Sequence, residues 1–290
     1  MASGLEIINI EQWIGENMSS FLPPVCNKLM HGAGQLKVMF IGGPNQRKDY
    51  HIEEGEEFFY QLQGDMCLKV VEKDAHKNVH IRQGECYLHP SRIPHSPQRL
   101  NNTVGLVIER DRSKDETDGL RYYIDGTTDP LWEEWFYCYD LGTQLGPVIK
   151  KYFASDEHKT GRPPPGKVFP KPPVDIDVTT VTDKPFSMSQ WISDHREEIV
   201  ENGSKDLFNN GEFKIVMWGG GEQRGENIGA SETFLWQMEG EAEVSSSCGS
   251  GVMNEQDSVL LKAGEKYTVC REPDSIGMCV TTNPLANKKK

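Results

Sequence analysis

Short runs of β-branched and aromatic residues recur along the chain, and clusters of glycine, proline and asparagine separate them. Runs of this kind predict strands, and the clusters predict turns. The predicted strands span residues 36–41, 57–62, 66–71, 104–109, 214–218, 234–238 and 258–261. Long amphipathic helical patterns are scarce, and 28 glycines with 17 prolines do not suit a helical bundle. The pattern therefore predicts an all-β protein of the sandwich or barrel type with a few short helices.

The second half of the chain repeats motifs of the first half, 176 to 180 residues later. The matches are Gln12-Trp13-Ile14 with Gln190-Trp191-Ile192, Val38-Met39 with Val216-Met217, Gln61-Leu62-Gln63-Gly64 with Gln237-Met238-Glu239-Gly240, and Gly84-Glu85 with Gly264-Glu265. Ordered matches with so little drift predict one fold used twice. Each half is expected to open with a short helix at its Trp-Ile pair and to continue as strands.

A proline-rich segment separates the two halves. Six prolines lie between positions 163 and 173, where they fix φ and favour an extended backbone. We therefore expect a first domain over residues 1–162, a stiff linker over 163–178 and a second domain over 179–290.

Composition and charge exclude several classes of protein. The 290 residues suffice for two ordinary domains, and a net charge of −13 repels nucleic acid. No apolar run approaches the roughly 20 residues that cross a bilayer, and residues 1–6 lack the basic start of a signal peptide, so no membrane partner is expected. The seven cysteines form no C-x-x-C pair. Reduced thiols in a soluble cytosolic protein are therefore expected, not disulfides or a cysteine-held metal.

Two segments carry the residue types of a metal site. His51 and Glu53 share one face of a predicted strand, and a turn over residues 54–56 can bring Glu57 back beside them. Prolines hold the chain around His95 in an extended turn. Two imidazoles and one carboxylate form the facial triad that leaves three positions of non-haem iron(II) open. A single histidine is more often a surface or core residue, and spacing alone does not decide between Glu53 and Glu57.

Three further residues suit substrate binding. Arg47 lies four residues before His51, and Arg99 lies four residues after His95. Either arginine alone would be expected on the surface, but a pair beside a metal motif can hold a planar carboxylate. Glu109 ends an otherwise apolar predicted strand, so it lies either at the exposed end of the strand or inside the barrel. The polar residues that follow, up to position 118, suit a mobile loop.

The two segments resemble the two sequence motifs of the cupin superfamily. The first motif, His-x-His-x3-4-Glu-x6-Gly, corresponds to His51, Glu53, Glu57 and Gly64, with Glu53 in place of the second histidine. The second motif, Gly-x5-Pro-x-Gly-x2-His-x3-Asn, corresponds to Gly84, Pro90, Arg92, His95 and Arg99, with Arg99 in place of the asparagine. The resemblance implies two tandem cupin barrels, which are double-stranded β-helices of the jelly-roll type.

With segments 43–51, 56–61 and 94–99 and a second cupin-like half, the whole chain resembles the family of animal-type 3-hydroxyanthranilate 3,4-dioxygenases. The resemblance implies an enzyme with one iron(II) per chain that opens the ring of 3-hydroxyanthranilate with O2. The product would be 2-amino-3-carboxymuconate semialdehyde, which feeds quinolinate and NAD biosynthesis in the kynurenine pathway. The implied iron ligands are His51, Glu57 and His95. The implied substrate contacts are Arg47, Arg99, Glu109 and Glu57, and Glu109 is the candidate proton acceptor.

The second half keeps the repeated pattern but loses the metal-binding residues. Aligned on its glycines, it has Thr233 at the Glu57 position, Asn227 or Ile228 at the His51 position, and Ser275 at the His95 position. Residues 281–290 also lack the paired cysteines that hold a second iron in some bacterial relatives. One metal per chain is expected. Because two fused barrels can imitate a dimer of single barrels, a monomer is expected.

Two other functions remain open on the sequence. A cupin oxygenase acting on a thiol or an acireductone would keep the metal ligands but would not need the Arg47 and Arg99 pair. A non-enzymatic cupin that stores or senses a ligand would need no intact set of His51, Glu57 and His95.

Overall fold

The computed structural model describes residues 4–23 and 26–282, and these contain 23 strands, four α-helices and a 3-10 helix over Met18–Phe21. The first-half strands are β1 (Ile7–Asn9), β2 (Asn27–His31), β3 (Leu36–Gly42), β4 (Asn45–Gln46), β5 (Tyr50–Ile52), β6 (Glu57–Gln63), β7 (Met66–Glu72), β8 (Ala75–Ile81), β9 (Glu85–His89), β10 (His95–Arg99), β11 (Val104–Arg110), β12 (Asp118–Tyr123) and β13 (Pro130–Phe136). The later strands are β14 (Phe186–Ser187), β15 (Ser204–Phe208), β16 (Phe213–Trp218), β17 (Gly221–Glu226), β18 (Thr233–Glu239), β19 (Ala242–Ser246), β20 (Gly249–Met253), β21 (Asp257–Leu261), β22 (Lys266–Arg271) and β23 (Ile276–Thr282). The α-helices are α1 (Ile10–Glu16), α2 (Leu141–Ala154), α3 (Asp156–Thr160) and α4 (Met188–Asn202). The all-β prediction is confirmed, and each predicted strand is present within one residue at both ends.

Each half forms two sheets that face each other. The first half builds one sheet in the order β14-β9-β6-β11-β3-β2 and a second in the order β13-β12-β5-β10-β7-β8, where β4 also pairs with β10. The second half builds the corresponding sheets β1-β21-β18-β23-β16-β15 and β17-β22-β19-β20. All of these strand pairs are antiparallel, as in a jelly roll.

The two barrels exchange their first strands. β1, from the start of the chain, pairs with β21 of the second barrel, and β14, which precedes α4, pairs with β9 of the first barrel. Each exchanged strand leads directly into a helix that carries a Trp-Ile pair, in α1 and in α4. The exchange ties the two barrels together through backbone hydrogen bonds.

A shared apolar core joins the barrels. It combines first-barrel residues such as Phe40 and Phe58 with second-barrel residues such as Phe213 and Trp236, all at most 1% exposed. Each barrel also has its own interior, which contains Leu68 and Val70 in the first, and Val244 and Val269 in the second. Burial of this apolar surface is the main source of stability for such a structure.

The internal repeat is confirmed, but only two of the four sequence matches are in register. The backbone amides of Gln12 and Gln190 each donate to the side chain of the N-cap residue three positions earlier, Asn9 and Ser187 respectively. Gln61 lies opposite Gly105, and its match Gln237 lies opposite Gly277, next to the same β-bulge.

The other two sequence matches do not join structurally equivalent residues. Val107 lies opposite Met39, and its counterpart Cys279 lies opposite Val216, so the Val-Met pairs are one residue out of register. A shift of one residue turns a side chain to the opposite face of the sheet, which sequence identity alone cannot detect.

The match of Gly84 with Gly264 fails because Gly84 has a different counterpart in the second barrel. The amide of Gly84 donates to Gln61 O, and the amide of Gln256 donates to Gln237 O, so Gln256 is the counterpart of Gly84. Gly264 corresponds instead to Arg92. Gly264 lies three residues before Tyr267 of β22, and Arg92 lies three residues before His95 of β10. Both residues adopt positive φ, 81° for Gly264 and 63° for Arg92, which explains the glycine.

The remaining segments lie around the barrels. α2 is not anticipated by the sequence pattern because it contains Pro147. Residues 161–185 have no regular structure, and Thr182 Oγ1 of this segment donates to Glu72 Oε2 of the first barrel over 2.7 Å. No helix among the described residues is long and apolar enough to span a membrane. Residues 283–290, which contribute to the expectation of a single metal, lie outside the described residues.

Candidate metal centre

Four side chains of the first barrel bring their ligand atoms together in its interior. His51, Glu53, Glu57 and His95 each offer one nitrogen or oxygen atom, and these atoms lie within 4.8 Å of one another. His95 Nε2 is 3.3 Å from Glu57 Oε2, and His51 Nδ1 is 3.7 Å from Glu53 Oε1. None of the four residues is more than 4% exposed. The structure thus brings together every metal ligand that the sequence predicts.

Strand pairing determines this arrangement. β5 and β10 are neighbours, and His51 lies directly opposite His95, with their ring centroids 5.4 Å apart. Glu57 begins β6 in the facing sheet. Glu53 follows β5, and its carbonyl accepts from Arg92 N, which holds the turn before His95 against the first motif. The two cupin-like motifs therefore meet because their strands pair and face each other.

Two charged residues that the sequence reasoning missed complete the centre. Asp118 Oδ2 lies 2.7 Å from His51 Nε2, and a carboxylate can only accept, so Nε2 carries the proton. The lone pair of His51 is then on Nδ1, which faces the glutamates. Arg112 bridges three carboxylates, with contacts of 2.5 Å to Glu53, 2.6 Å to Glu109 and 3.1 Å to Asp118.

Residues 111–117 form the loop between β11 and β12, but several charged residues of this polar segment are buried. Arg110, Arg112, Glu116 and Asp118 are all buried, and Arg110 makes a bidentate ion pair with Glu116 over two contacts of 2.6 Å. The segment is polar because it pairs charges inside the protein. Only the alternation of acidic and basic residues from 109 to 118 could have indicated this.

The two glutamates of the cluster differ in charge. Burial raises the pKa of Glu53 well above its usual value, although Arg112 opposes the shift and the nearby Glu109 and Glu57 reinforce it. Burial also disfavours the charged form of Glu57, but the neighbouring His95 and a hydrogen bond with Glu53 keep the Glu57 pKa well below its usual value. Glu57 is therefore the more readily ionised of the two carboxyl groups.

The donor set fits a divalent metal ion. Two imidazoles and a carboxylate suit non-haem iron(II) among other transition metals. Burial lowers the pKa of His51, so its imidazole stays neutral and can donate a lone pair. Glu53 Oε1 is buried and has no hydrogen-bond partner, as expected for an atom that borders a cation site. The pKa values of the buried Glu57 and Asp118 lie below their usual values, so these two carboxylates provide a negative environment.

A third histidine adjoins the cluster but is engaged elsewhere. The ring of His89 lies 4.5 Å from that of His95, centroid to centroid. Its Nε2 contacts the carbonyl oxygen of Ile93 over 3.0 Å, and burial lowers the pKa of His89 to about 3. His89 is therefore a neutral packing partner of His95.

Of the four residues expected to contact substrate, the three that are not expected metal ligands lie around the cluster in different environments. Arg99 is 1% exposed, and its Nε and Nη2 have no hydrogen-bond partner. Burial lowers the pKa of Arg99 to about 10, with Glu57 opposing that shift and Arg47 adding to it. Arg47 is instead ion-paired with Asp49. Glu109 is buried and faces inwards, so the exposed strand end is excluded.

These residues do not line one shared cavity. Glu109 and Arg112 line a cavity of about 330 Å³, together with Met39. Arg47 lines a separate cavity of about 740 Å³, together with Tyr122. Arg99 lines neither of the two. The smaller cavity adjoins the cluster through Arg112, which is ion-paired with Glu53.

The second barrel has different residues at the corresponding positions. Thr233 lies at the Glu57 position, as expected, and its hydroxyl donates to Asn227 over 2.6 Å. Strand register puts Tyr267 at the His95 position, since Tyr267 lies opposite Ser246 as His95 lies opposite Val70. The expectation of Ser275 there is wrong, because it rests on the misregistered glycine match.

The residue opposite Tyr267 also differs from the expected one. It is Gly225, which therefore takes the His51 position in place of Asn227 or Ile228. The metal-binding set found among the described residues is the single cluster in the first barrel.

The fold and the site together define a two-barrel cupin protein with one candidate metal centre. Similar structures include a cupin 2 conserved barrel domain protein from Leptotrichia buccalis, with a TM-score of 0.50 and 11% identity over 96% of each chain. That likeness concerns the fold alone.

Sequence comparison identifies the family. Residues 2–153 match the model of the 3-hydroxyanthranilic acid dioxygenase family. The chain is 50% identical over 277 residues to 3-hydroxyanthranilate 3,4-dioxygenase of Nematostella vectensis, which covers 96% of this chain and 99% of the relative. It is 50% identical over 278 residues to 3-hydroxyanthranilate 3,4-dioxygenase of Xenopus tropicalis, covering 96% and 98%. The chain belongs to the 3-hydroxyanthranilic acid dioxygenase family.

Proposed function

We propose that this protein is a 3-hydroxyanthranilate 3,4-dioxygenase, which opens the ring of 3-hydroxyanthranilate with O2 to give 2-amino-3-carboxymuconate semialdehyde. In this role it would feed quinolinate and NAD biosynthesis in the kynurenine pathway. The observation that carries the proposal is a buried set of two imidazoles and an ionised carboxylate in a chain of this family. We place the catalytic unit in residues 1–162, followed by the linker 163–178 and a metal-free barrel over 179–290.

His51, Glu57 and His95 would hold one iron(II) ion per chain. When bound, iron supplies the redox-active centre that lets triplet O2 react with an aromatic ring, a reaction that is otherwise spin-forbidden. Asp118 fixes the tautomer and orientation of His51, as outer partners of metal-binding histidines commonly do. Glu53 is not a ligand in this proposal, because its Oε2 is ion-paired with Arg112.

Arg99 would bind the carboxylate of the substrate. It is a buried cation with two unpartnered nitrogens near Glu57, so an anionic ligand would satisfy a charge that the protein leaves open. Arg47 would join it after leaving Asp49, and the two guanidinium groups would then hold the planar carboxylate. This contact orients the ring towards the metal centre.

Glu109 would accept a proton from the hydroxyl or amine group of the substrate. Burial raises the pKa of Glu109 to about 7, with Glu57 adding to the shift and Arg112 opposing it. A group with a pKa near neutral pH is suited to accept and release a proton. Arg112 holds the carboxylate at the edge of the smaller cavity.

The direct test is turnover of a defined substrate. The chain is loaded with iron(II) without oxygen, 3-hydroxyanthranilate and then air are added, and the absorbance of the muconate semialdehyde is followed. We expect a rise in that absorbance that a chelator prevents and iron(II) restores. Consumption of a thiol such as cysteine with no reaction of 3-hydroxyanthranilate would contradict the proposal, and equal restoration by zinc would contradict its redox chemistry.

The remaining properties follow from the same proposal. All seven cysteines are free thiols, and four of them are buried, which suits the reducing cytosol. The exchange of β1 and β14 and the shared core provide within one chain the contacts that a dimer of single barrels would make, so we propose a monomer.

A further inference from the structure

The two barrels hold each other through a pair of matching contacts. Glu56 Oε2, in the first barrel, accepts from the amides of Glu212 and Phe213 over 2.8 and 2.9 Å, at the start of β16. Its counterpart Glu232, in the second barrel, accepts from the amide of Leu36 over 2.9 Å, at the start of β3. Each barrel thus binds the start of one strand of the other, β16 in the second barrel and β3 in the first.

A glycine at each contact makes room for the carboxylate. A Cβ at Gly211 would collide with the carboxylate of Glu56, and a Cβ at Gly34 would collide with that of Glu232. Neither glycine has the positive φ that only glycine favours. Alanine is therefore compatible with the backbone at both positions, and its effect would be to displace the capping carboxylate.

Only one of the two contacts carries an ion pair. Glu212 accepts from Arg110 Nε and, through its other oxygen, from the amide of Glu56 over 3.2 Å. At the other contact the corresponding positions hold Gln35 and Thr282, which cannot form an ion pair. The interbarrel contact that carries the ion pair is the one next to the metal cluster.

The contact that includes the Arg110–Glu212 ion pair binds the residues that adjoin Glu57 and Glu109. Glu56 directly precedes Glu57, and Arg110 directly follows Glu109. Glu212 of the second barrel therefore binds the backbone amide on one side and the guanidinium on the other. At 1% exposure, Glu212 is as buried as the cluster itself, so its contacts compete little with water.

We propose that Glu212 and Gly211 of the metal-free barrel are positioning residues, which fix Glu57 for metal binding and Glu109 for substrate through Glu56 and Arg110. This inference rests on the proposed metal site. The second barrel then contributes to the reaction although it holds no ligand of its own.

The test compares two matched variants, Gly211→Ala and Gly34→Ala, in the full chain without metal. Each displaces one interbarrel carboxylate, so both should lower Tm. Cobalt(II) is the probe, and both its Kd and its visible absorption spectrum are measured. We expect Gly211→Ala to weaken cobalt(II) binding by about tenfold or more and to change the spectrum, as loss of an outer partner of a metal ligand does. Gly34→Ala should leave both unchanged.

Kd values and spectra that match the wild type in both variants would overturn the inference. An equal loss of cobalt(II) affinity in both variants would also overturn it. If Gly211→Ala does not fold, Glu56→Gln and Glu56→Ala replace it. Glutamine keeps an oxygen that can accept from both amides, so Glu56→Gln should bind cobalt(II) more tightly than Glu56→Ala; equal binding would overturn the inference. A wild-type chain that binds no cobalt(II), or that keeps it after Glu57→Gln, would instead contradict the metal site itself.

Discussion

Asp118 accepts a hydrogen bond from the imidazole of His51, with 2.7 Å between Asp118 Oδ2 and His51 Nε2. Arg112 in turn holds Asp118 over 3.1 Å. Asp118 fixes the tautomer of a proposed metal ligand, and it does so from β12, which contains none of the cupin-like motif residues.

Replacing Asp118 should therefore weaken metal binding without removing a ligand. In Asp118→Asn the amide can donate to Nε2, which favours the other tautomer and places a proton on Nδ1. We expect iron(II) affinity to fall by about 10- to 100-fold. Titration of the metal-free protein with iron(II) measures this, and an unchanged Kd would show that Asp118 does not orient the ligand. Asp49→Asn, a buried carboxylate outside the cluster, is the control.

The two glutamates of the cluster should respond differently to the same change. Glu57→Gln removes the ionised carboxylate and is expected to abolish both iron retention and turnover. Glu53→Gln changes a residue that is ion-paired with Arg112 and is not a ligand in this account, so it should keep most of the bound iron. Elemental analysis of the purified variants compares them. Loss of iron in Glu53→Gln but not in Glu57→Gln would reverse the assignment.

Removing the buried arginine should affect substrate binding and spare the metal. In Arg99→Ala, the loss of a charge-assisted contact of roughly 1.5–3 kcal/mol should raise KM by about 10- to 100-fold, with iron content unchanged. Arg99→Lys keeps the charge but loses the planar pair of donors, so an intermediate KM is expected. Steady-state kinetics with iron analysis gives both values. An unchanged KM would mean that the carboxylate is bound elsewhere.

Activity should depend on pH through Glu109. Because its pKa is raised to about 7, the carboxyl group is protonated below that pH and can accept a proton only above it. We therefore expect kcat/KM to rise as pH increases through 7. Glu109→Gln should abolish that rise and lower kcat/KM by about 100-fold or more. A profile that keeps the same rise in Glu109→Gln would assign it to another group.

The effect of Glu109 on stability has the opposite sign. The folded protein holds this proton to a higher pH than the unfolded chain does, so the group makes the free energy of unfolding fall as pH rises from about 4.5 to 7. Glu109→Gln should reduce this dependence, and denaturant unfolding across that range measures it.

The sequence predicts the strands and the metal cluster well because both depend on local patterns. The strand pattern predicts that His51, His95 and a nearby glutamate come together, and the family resemblance is what favours Glu57 over Glu53. The register of the repeat is harder to predict, since Val38-Met39 and Val216-Met217 agree in letters but differ by one position in strand pairing.

The contacts around the cluster were harder to predict, because several of them depend on strand pairing or join residues far apart in sequence. Arg112 and Asp118 look like loop residues until β12 is paired with β5. Glu212 lies 156 residues from Glu56, and no local pattern indicates their contact. The position of Arg47 depends on its pairing with Asp49, which competes with the substrate contact that the family resemblance implies.

The most direct test is to locate the metal itself. Crystals of the chain loaded with iron(II) without oxygen are measured at wavelengths on either side of the iron absorption edge. We predict one anomalous iron peak per chain, bonded to His51, Glu57 and His95. Iron bound at another place, or a loaded chain in which these three side chains hold no metal, would contradict the proposed active site.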